Sequence, residues 1–132
     1  MKHSVEYRVY YEDTDAGGIM YHARYINWCE RARLDMMDAQ GLSATSLTNQ
    51  GILMVVRHID AHYLKPAKLE ETLRVETSIK ELKNSSFIVN QSIFCQDSVL
   101  FSMTVTLVCV DPEGKPIRVP PVIREKFEIY QE

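Results

Sequence analysis

Two hydrophobic periods divide this chain, and together they fix its architecture. From about His22 to Gln40, the residues Tyr25, Trp28, Cys29, Ala32 and Met36 recur at steps of three and four, which places them on one face of an α-helix. After Gly51 the period drops to two. Between Leu69 and Leu82, for example, Leu73, Val75, Thr77 and Ile79 alternate with Arg74, Glu76, Ser78 and Lys80. Further strands are expected over Ile52–Leu64, Phe87–Phe94 and Val99–Val110, and a first, tyrosine-rich one over Val5–Tyr11. Gly41 is placed to cap the long helix, and Arg31 to pair with Asp35 across one of its turns. A polar segment, Ser43–Gln50, follows. Pro120-Pro121 opens a short last helix over Val122–Tyr130.

The order is therefore strand, one long helix, then four strands joined by short turns such as Lys83–Ser86 and Asp111–Pro116. Short connections favour antiparallel pairing. One helix on one antiparallel sheet gives a two-layer α+β domain. A single helix covers little of a sheet of about five strands, so an open edge or an apolar sheet surface remains. At least a dimer is expected.

The 132 residues fit one domain, and 45% apolar with 25% charged residues is a globular balance. A net charge of −3 argues against a nucleic-acid surface. Cys29, Cys95 and Cys109 are odd in number and widely spaced, which reads as reduced thiols rather than a disulfide framework or a zinc site. The N-terminus lacks a long apolar stretch, and no apolar run approaches the roughly 20 residues of a membrane span. A soluble, cytoplasmic protein with no integral membrane segment is expected.

Chemistry concentrates just ahead of the long helix, in Tyr10-Tyr11-Glu12-Asp13-Thr14-Asp15-Ala16-Gly17-Gly18-Ile19-Met20-Tyr21-His22. Asp13 and Asp15 serve either as turn formers or as reactive carboxylates beside a helix N-terminus, where free N–H groups and partial positive charge collect. A calcium loop beginning at Asp13 would need Glu at its twelfth position, which here is Arg24. His58 and His62 stand four strand steps apart, about 13 Å, too far to share one metal ion. Neither a GxSxG elbow nor a GxGxxG or P-loop string is present. Cys29 lies on the apolar helix face and reads as core; Tyr11 reads as strand packing.

The segment YRVYYEDTDAGGIMYHARYINWCERARLDMM resembles the opening of hotdog-fold acyl-CoA thioesterases of the 4-hydroxybenzoyl-CoA thioesterase family, most closely the small bacterial branch associated with the Tol–Pal system. The likeness continues through VVRHIDAHYLKPAKLEETLRVETSI and VTLVCVDPEGKP. It implies a hotdog fold, an antiparallel sheet wrapped around one helix, with homodimers often paired into homotetramers and active sites between subunits. It implies Asp15, not Asp13, as the catalytic carboxylate, with His22 and Tyr11 taking part. His22 would act through its backbone N–H, its side chain, or both. The coenzyme A phosphates would meet Lys83, Ser85 and Ser86, where only Lys83 keeps a basic charge.

The resulting expectation is hydrolysis of an acyl-CoA thioester, with no separate cofactor or metal, since coenzyme A is part of the substrate. Acyl groups on acyl carrier protein are an alternative substrate. Asp15 would act as nucleophile or general base and helix N-terminal amides as the oxyanion hole. An acyl-thioester dehydratase and a non-catalytic acyl-CoA-binding or scaffold module are the competing readings. The acyl group itself is not legible in the sequence.

Overall fold

The computed structural model describes residues 1–132. Strands β1 (His3–Arg8), β2 (Leu53–Tyr63), β3 (Thr72–Leu82), β4 (Ser86–Cys95) and β5 (Ser98–Val110) form one sheet in the order β1-β3-β4-β5-β2, antiparallel at every pairing. Helix α1 (His22–Ala39) lies on one face, joined by a short α2 (Ala44–Asn49) and a last helix, α3 (Pro121–Glu128). This is the α+β arrangement that the two hydrophobic periods imply.

The core fills the layer between α1 and the sheet. Leu73, Val75 and Ile79 of β3, Val89 and Ile93 of β4, and Phe101 and Val105 of β5 have no exposed surface. The register sets Ile93 opposite Val75 on one side and Phe101 on the other, so these side chains form rows across the sheet. From α1, Tyr25, Trp28, Cys29, Ala32 and Met36 meet those rows. One polar side chain sits among them. The Gln91 amide nitrogen donates to the Cys29 carbonyl at 2.8 Å and to the Thr77 hydroxyl at 3.1 Å, and its oxygen accepts from Arg33 at 3.0 Å. A buried amide without these partners would be destabilising, so Gln91 fixes how α1 sits on the sheet.

Four local expectations meet a different outcome. The first strand ends at Arg8 rather than running to Tyr11. The Tyr10 N–H donates to the Asp13 carboxylate at 2.9 Å, and this closes a 3-10 turn over Tyr11–Asp13 that takes the chain off the sheet. Tyr11 is consequently 81% exposed rather than packed in a strand. The Ser43–Gln50 segment is not merely polar linker: Ser43 caps α2, accepting from the Ser46 N–H, and Leu47 is buried beneath it. Arg31 and Asp35 do not pair with each other. Both meet Tyr7 of β1, whose hydroxyl donates to Asp35 and whose ring lies under the Arg31 guanidinium at 5.5 Å.

Gly41 does end α1, with φ at +74° and its N–H donating to the Asp38 carbonyl. Pro121 opens α3 as expected. His58 and His62 lie on β2. No helix is long and apolar enough to cross a membrane.

β1 and β2 are the two edge strands, and β2 presents the longer free edge. β2 pairs only with β5, and Val55, Val56, Ile59 and Tyr63 along it are each more than a third exposed. Eleven residues of strand with a free outer edge and exposed apolar side chains form a ready template for another strand.

Candidate active site

The two aspartates of the acidic turn point in opposite directions and do different work. Asp13 is inside, 8% exposed. One of its carboxylate oxygens holds the Tyr10 N–H, and the other stands 3.7 Å from the Arg24 guanidinium. Its carbonyl accepts the Tyr21 N–H at 2.8 Å, which ties the turn to the residue just ahead of α1. Asp13 thus assembles the junction.

Asp15 is exposed. Its N–H donates to the Ile19 carbonyl at 3.0 Å, and its carbonyl accepts from Gly18 at 3.1 Å, where φ is +80°. Such a backbone angle suits glycine. The carboxylate receives the Gly17 N–H at 2.8 Å, which holds it in one orientation without covering it. A Cβ at Gly17 would stand 3.3 Å from the Asp15 oxygen, so a larger residue there would push the carboxylate aside by a few tenths of an ångström.

The turn folds back through pairing of Thr14 with Met20, and Tyr21 then leads into α1. No side chain caps this helix start, and its first turn carries no acidic residue. The Arg24 N–H bonds back to the Tyr21 carbonyl, whereas the N–H groups of His22 and Ala23 donate to nothing in the protein. Two free amides thus stand at the positive end of an 18-residue helix, where partial positive charge collects. The His22 ring is exposed and lies 4.5 Å from the Tyr21 ring, centroid to centroid. Tyr11 lies in the same junction, its carbonyl accepting from both the N–H and the hydroxyl of Thr14.

Tyr63, the last residue of β2, went unnoticed in the sequence. Its hydroxyl donates to the His22 carbonyl at 2.8 Å, and its ring packs edge-on to Tyr25 and Phe101 at 5.3 and 4.9 Å. The open sheet edge is therefore bonded directly to the start of α1. An aromatic closing a strand just before Lys65-Pro66 was the available signal.

Lys83, Ser85 and Ser86 stand elsewhere. They lie in and beside the β3–β4 turn, at the far end of β3 from Asp15, about 33 Å away along the strand. Lys83 is exposed, while Ser86 is 7% exposed at the head of β4. One protomer does not bring this turn and Asp15 together.

Cys29, which neighbours Trp28 in the core, is no rival nucleophile. Burial pushes its thiol up to about 12, so it carries no thiolate at neutral pH. No group of three or more His, Cys, Asp or Glu could hold a metal ion.

Comparison with known proteins places the chain in a family. Residues 9–127, from just after β1 into the last helix, match the thioesterase-like superfamily. The chain belongs to that superfamily. Among its relatives is the acyl-CoA thioester hydrolase YbgC of Escherichia coli O157:H7, 38% identical over 123 residues that cover 92% of each chain. The acyl-CoA thioesterase YbgC of Haemophilus influenzae is 38% identical over 122 residues, covering 91% of this chain and 90% of that protein. A probable thioesterase from Bartonella henselae superposes with a TM-score of 0.87 at 34% identity, over 91% of this chain and 100% of that one. The thioesterase-like superfamily thus accounts for the five-stranded sheet and for the long helix against it.

Proposed function

We propose that this protein hydrolyses acyl-CoA thioesters, with Asp15 as the reacting carboxylate and the His22 and Ala23 amides as the oxyanion hole. One observation carries the reading: a carboxylate held outward by the Gly17 N–H stands at the junction leading to a helix start whose first two N–H groups have no acceptor. The YbgC relatives, one an acyl-CoA thioester hydrolase and the other an acyl-CoA thioesterase, supply the substrate class.

The chemistry follows from those parts. A thioester carbonyl set against the helix start is polarised by the free amides, which strengthen their hold as the oxygen becomes an oxyanion. One such donor is worth about 3 kcal/mol in the transition state. Asp15 either attacks the carbonyl carbon, expelling the thiolate and leaving a mixed anhydride that water opens, or takes a proton from the water that attacks. Both routes put negative charge on the same thioester carbonyl oxygen, and neither needs a strong general acid, because a thiolate leaves readily. Tyr63 contributes by holding the His22 carbonyl, which keeps the first helical turn in place. His22 and Tyr11 flank the junction as polar contacts for substrate or water.

The working unit is a homodimer joined along β2. Antiparallel pairing of two β2 edges would cover Val55, Val56 and Ile59 and continue the sheet into the second copy. It would also turn the second copy end for end. The Lys83–Ser86 turn of one copy would then lie on the side where the other presents Asp15, which suits Lys83 and Ser85 as contacts for coenzyme A phosphates.

The test is a reaction with crotonyl-CoA, followed by thiol release and by mass of the products. Free thiol and crotonate are expected. Water addition across the double bond with the thioester intact would instead establish a dehydratase, and tight binding without turnover a binding module.

A further inference from the structure

Residues 64–68, which leave β2 toward β3, form a strap whose backbone donors are all engaged except at Pro66, which has none. The Leu64 and Lys65 N–H groups donate to the Leu100 carbonyl at 2.9 and 3.1 Å, and the Lys68 N–H donates to the Glu71 carboxylate at 2.6 Å. The Ala67 N–H reaches further, to the Tyr25 hydroxyl of α1 at 3.0 Å. Ala67 has no exposed surface, so water cannot stand in for that phenol.

The same strap is bonded to the acidic turn. The Ala67 carbonyl accepts the Met20 N–H at 2.8 Å, and Lys68 bridges to Ile19. The Ile19 carbonyl in turn accepts the Asp15 N–H at 3.0 Å. A path of three hydrogen bonds therefore leads from the Tyr25 hydroxyl to the backbone of Asp15. Asp13 ties the turn to Tyr21, whereas this path enters by its other arm, through Ile19 and Met20. Tyr25 itself is rigidly placed. It is 3% exposed, and its ring packs against Phe101 and Tyr63 at centroid distances of 5.2 and 5.3 Å. It follows His22 by three residues on the first turns of α1, so it moves with the helix start that bears the free amides.

Resting on the thioesterase reading above, we propose that Tyr25 is a positioning residue of the reaction: through Ala67 and the arm formed by Ile19 and Met20, it fixes the Asp15 carboxylate relative to the His22 and Ala23 amides. Tyr25 touches no reacting atom. Its hydroxyl links the two halves of the machinery, one carried by the helix and the other by the turn. A displacement of reacting groups by about 1 Å can cost a hundredfold in rate, so loss of this strut should be felt in turnover rather than in substrate binding.

Amide hydrogen exchange and a double-variant cycle test this. In wild-type protein the Ala67 and Met20 N–H groups should exchange slowly. Exchange of either at the rate of an unstructured chain would overturn the proposal, because no strap would then hold the turn. Tyr25→Phe keeps the ring and removes the hydroxyl. Its kcat for hexanoyl-CoA should fall roughly tenfold with KM little changed. Ala67 and Met20 should exchange faster in this variant, while amides in the middle of α1 keep their protection. In an Asp15→Asn background the same substitution should leave the residual rate unchanged, since no carboxylate remains to be positioned. A wild-type kcat in Tyr25→Phe, or an equal fold-loss in both backgrounds, would overturn the proposal and leave Tyr25 a part of the core alone. A wild-type protein that releases no thiol from any acyl-CoA would instead remove the thioesterase reading, and this proposal with it.

Discussion

The Tyr63 hydroxyl donates to the His22 carbonyl at 2.8 Å, which joins the last residue of the open edge strand to the first residue of α1. The two free amides of the proposed oxyanion hole belong to His22 and its neighbour, so their aim depends on that tie. Tyr63→Phe keeps the ring contacts and removes the bond. It is expected to lower kcat several-fold with little change in KM, and to cost about 0.5–1.5 kcal/mol of stability. Steady-state kinetics alongside urea unfolding separates the two effects. A variant with wild-type kcat would show that the helix start holds its position unaided.

Asp13 and Asp15 should fail in different ways. Asp13→Ala strips the acceptor from the Tyr10 N–H and the partner from Arg24, so a loss of about 1.5–3 kcal/mol in unfolding free energy is expected. Asp15→Asn changes an exposed group, and its stability should stay within about 0.5 kcal/mol of wild type. Denaturant midpoints measured side by side check this division.

Gly17 and Gly18 make a second contrasting pair. Gly18→Ala forces a side chain onto a backbone at φ +80°, a strain of about 1–3 kcal/mol that should appear as lost stability. Gly17→Ala places a methyl group 3.3 Å from the Asp15 oxygen, so its effect should fall on turnover. A thermal melt near that of wild type with a clearly reduced kcat is the expected signature of Gly17→Ala.

Cys29 should be silent in catalysis. Burial raises its thiol from the ordinary 9.0 to about 12, so the neutral form is favoured in the folded state. The sign follows: the unfolded chain ionises first, and this group's stabilising contribution, complete below pH 9, is lost as pH rises from 9.0 toward 12. Cys29→Ala is expected to retain turnover and to flatten that alkaline loss, read as unfolding free energy against pH. Thiol-reactive dye should label Cys29 in wild type only as the protein unfolds.

Much of this architecture was legible in the sequence because it is written in long periodic stretches. α1 spans His22–Ala39 against an expected His22–Gln40, and β2, β4 and β5 fall within two residues of their expected ends. The misreadings arise where one side chain from elsewhere decides. Tyr11 has the composition of a strand residue, but the Asp13 carboxylate captures the Tyr10 N–H and turns the chain away. Arg31 and Asp35 are spaced to pair, but Tyr7 stands between them from another element. α2 is six residues long, with Leu47 its one buried side chain, too little to register as a period. Within the site, glycines and paired acids marked the turn, and only the family resemblance singled out Asp15; that Asp13 turns inward and Asp15 outward is set by three-dimensional contacts, and Tyr63 reaches His22 across 41 positions.

The most direct test is the initial rate of thiol release from hexanoyl-CoA by wild-type protein and by Asp15→Asn, with folding checked by circular dichroism and thermal melting. Wild type should release thiol, and the folded variant should be slower by about a thousandfold. A folded Asp15→Asn protein that releases thiol at the wild-type rate would contradict the assignment of Asp15 as the reacting carboxylate.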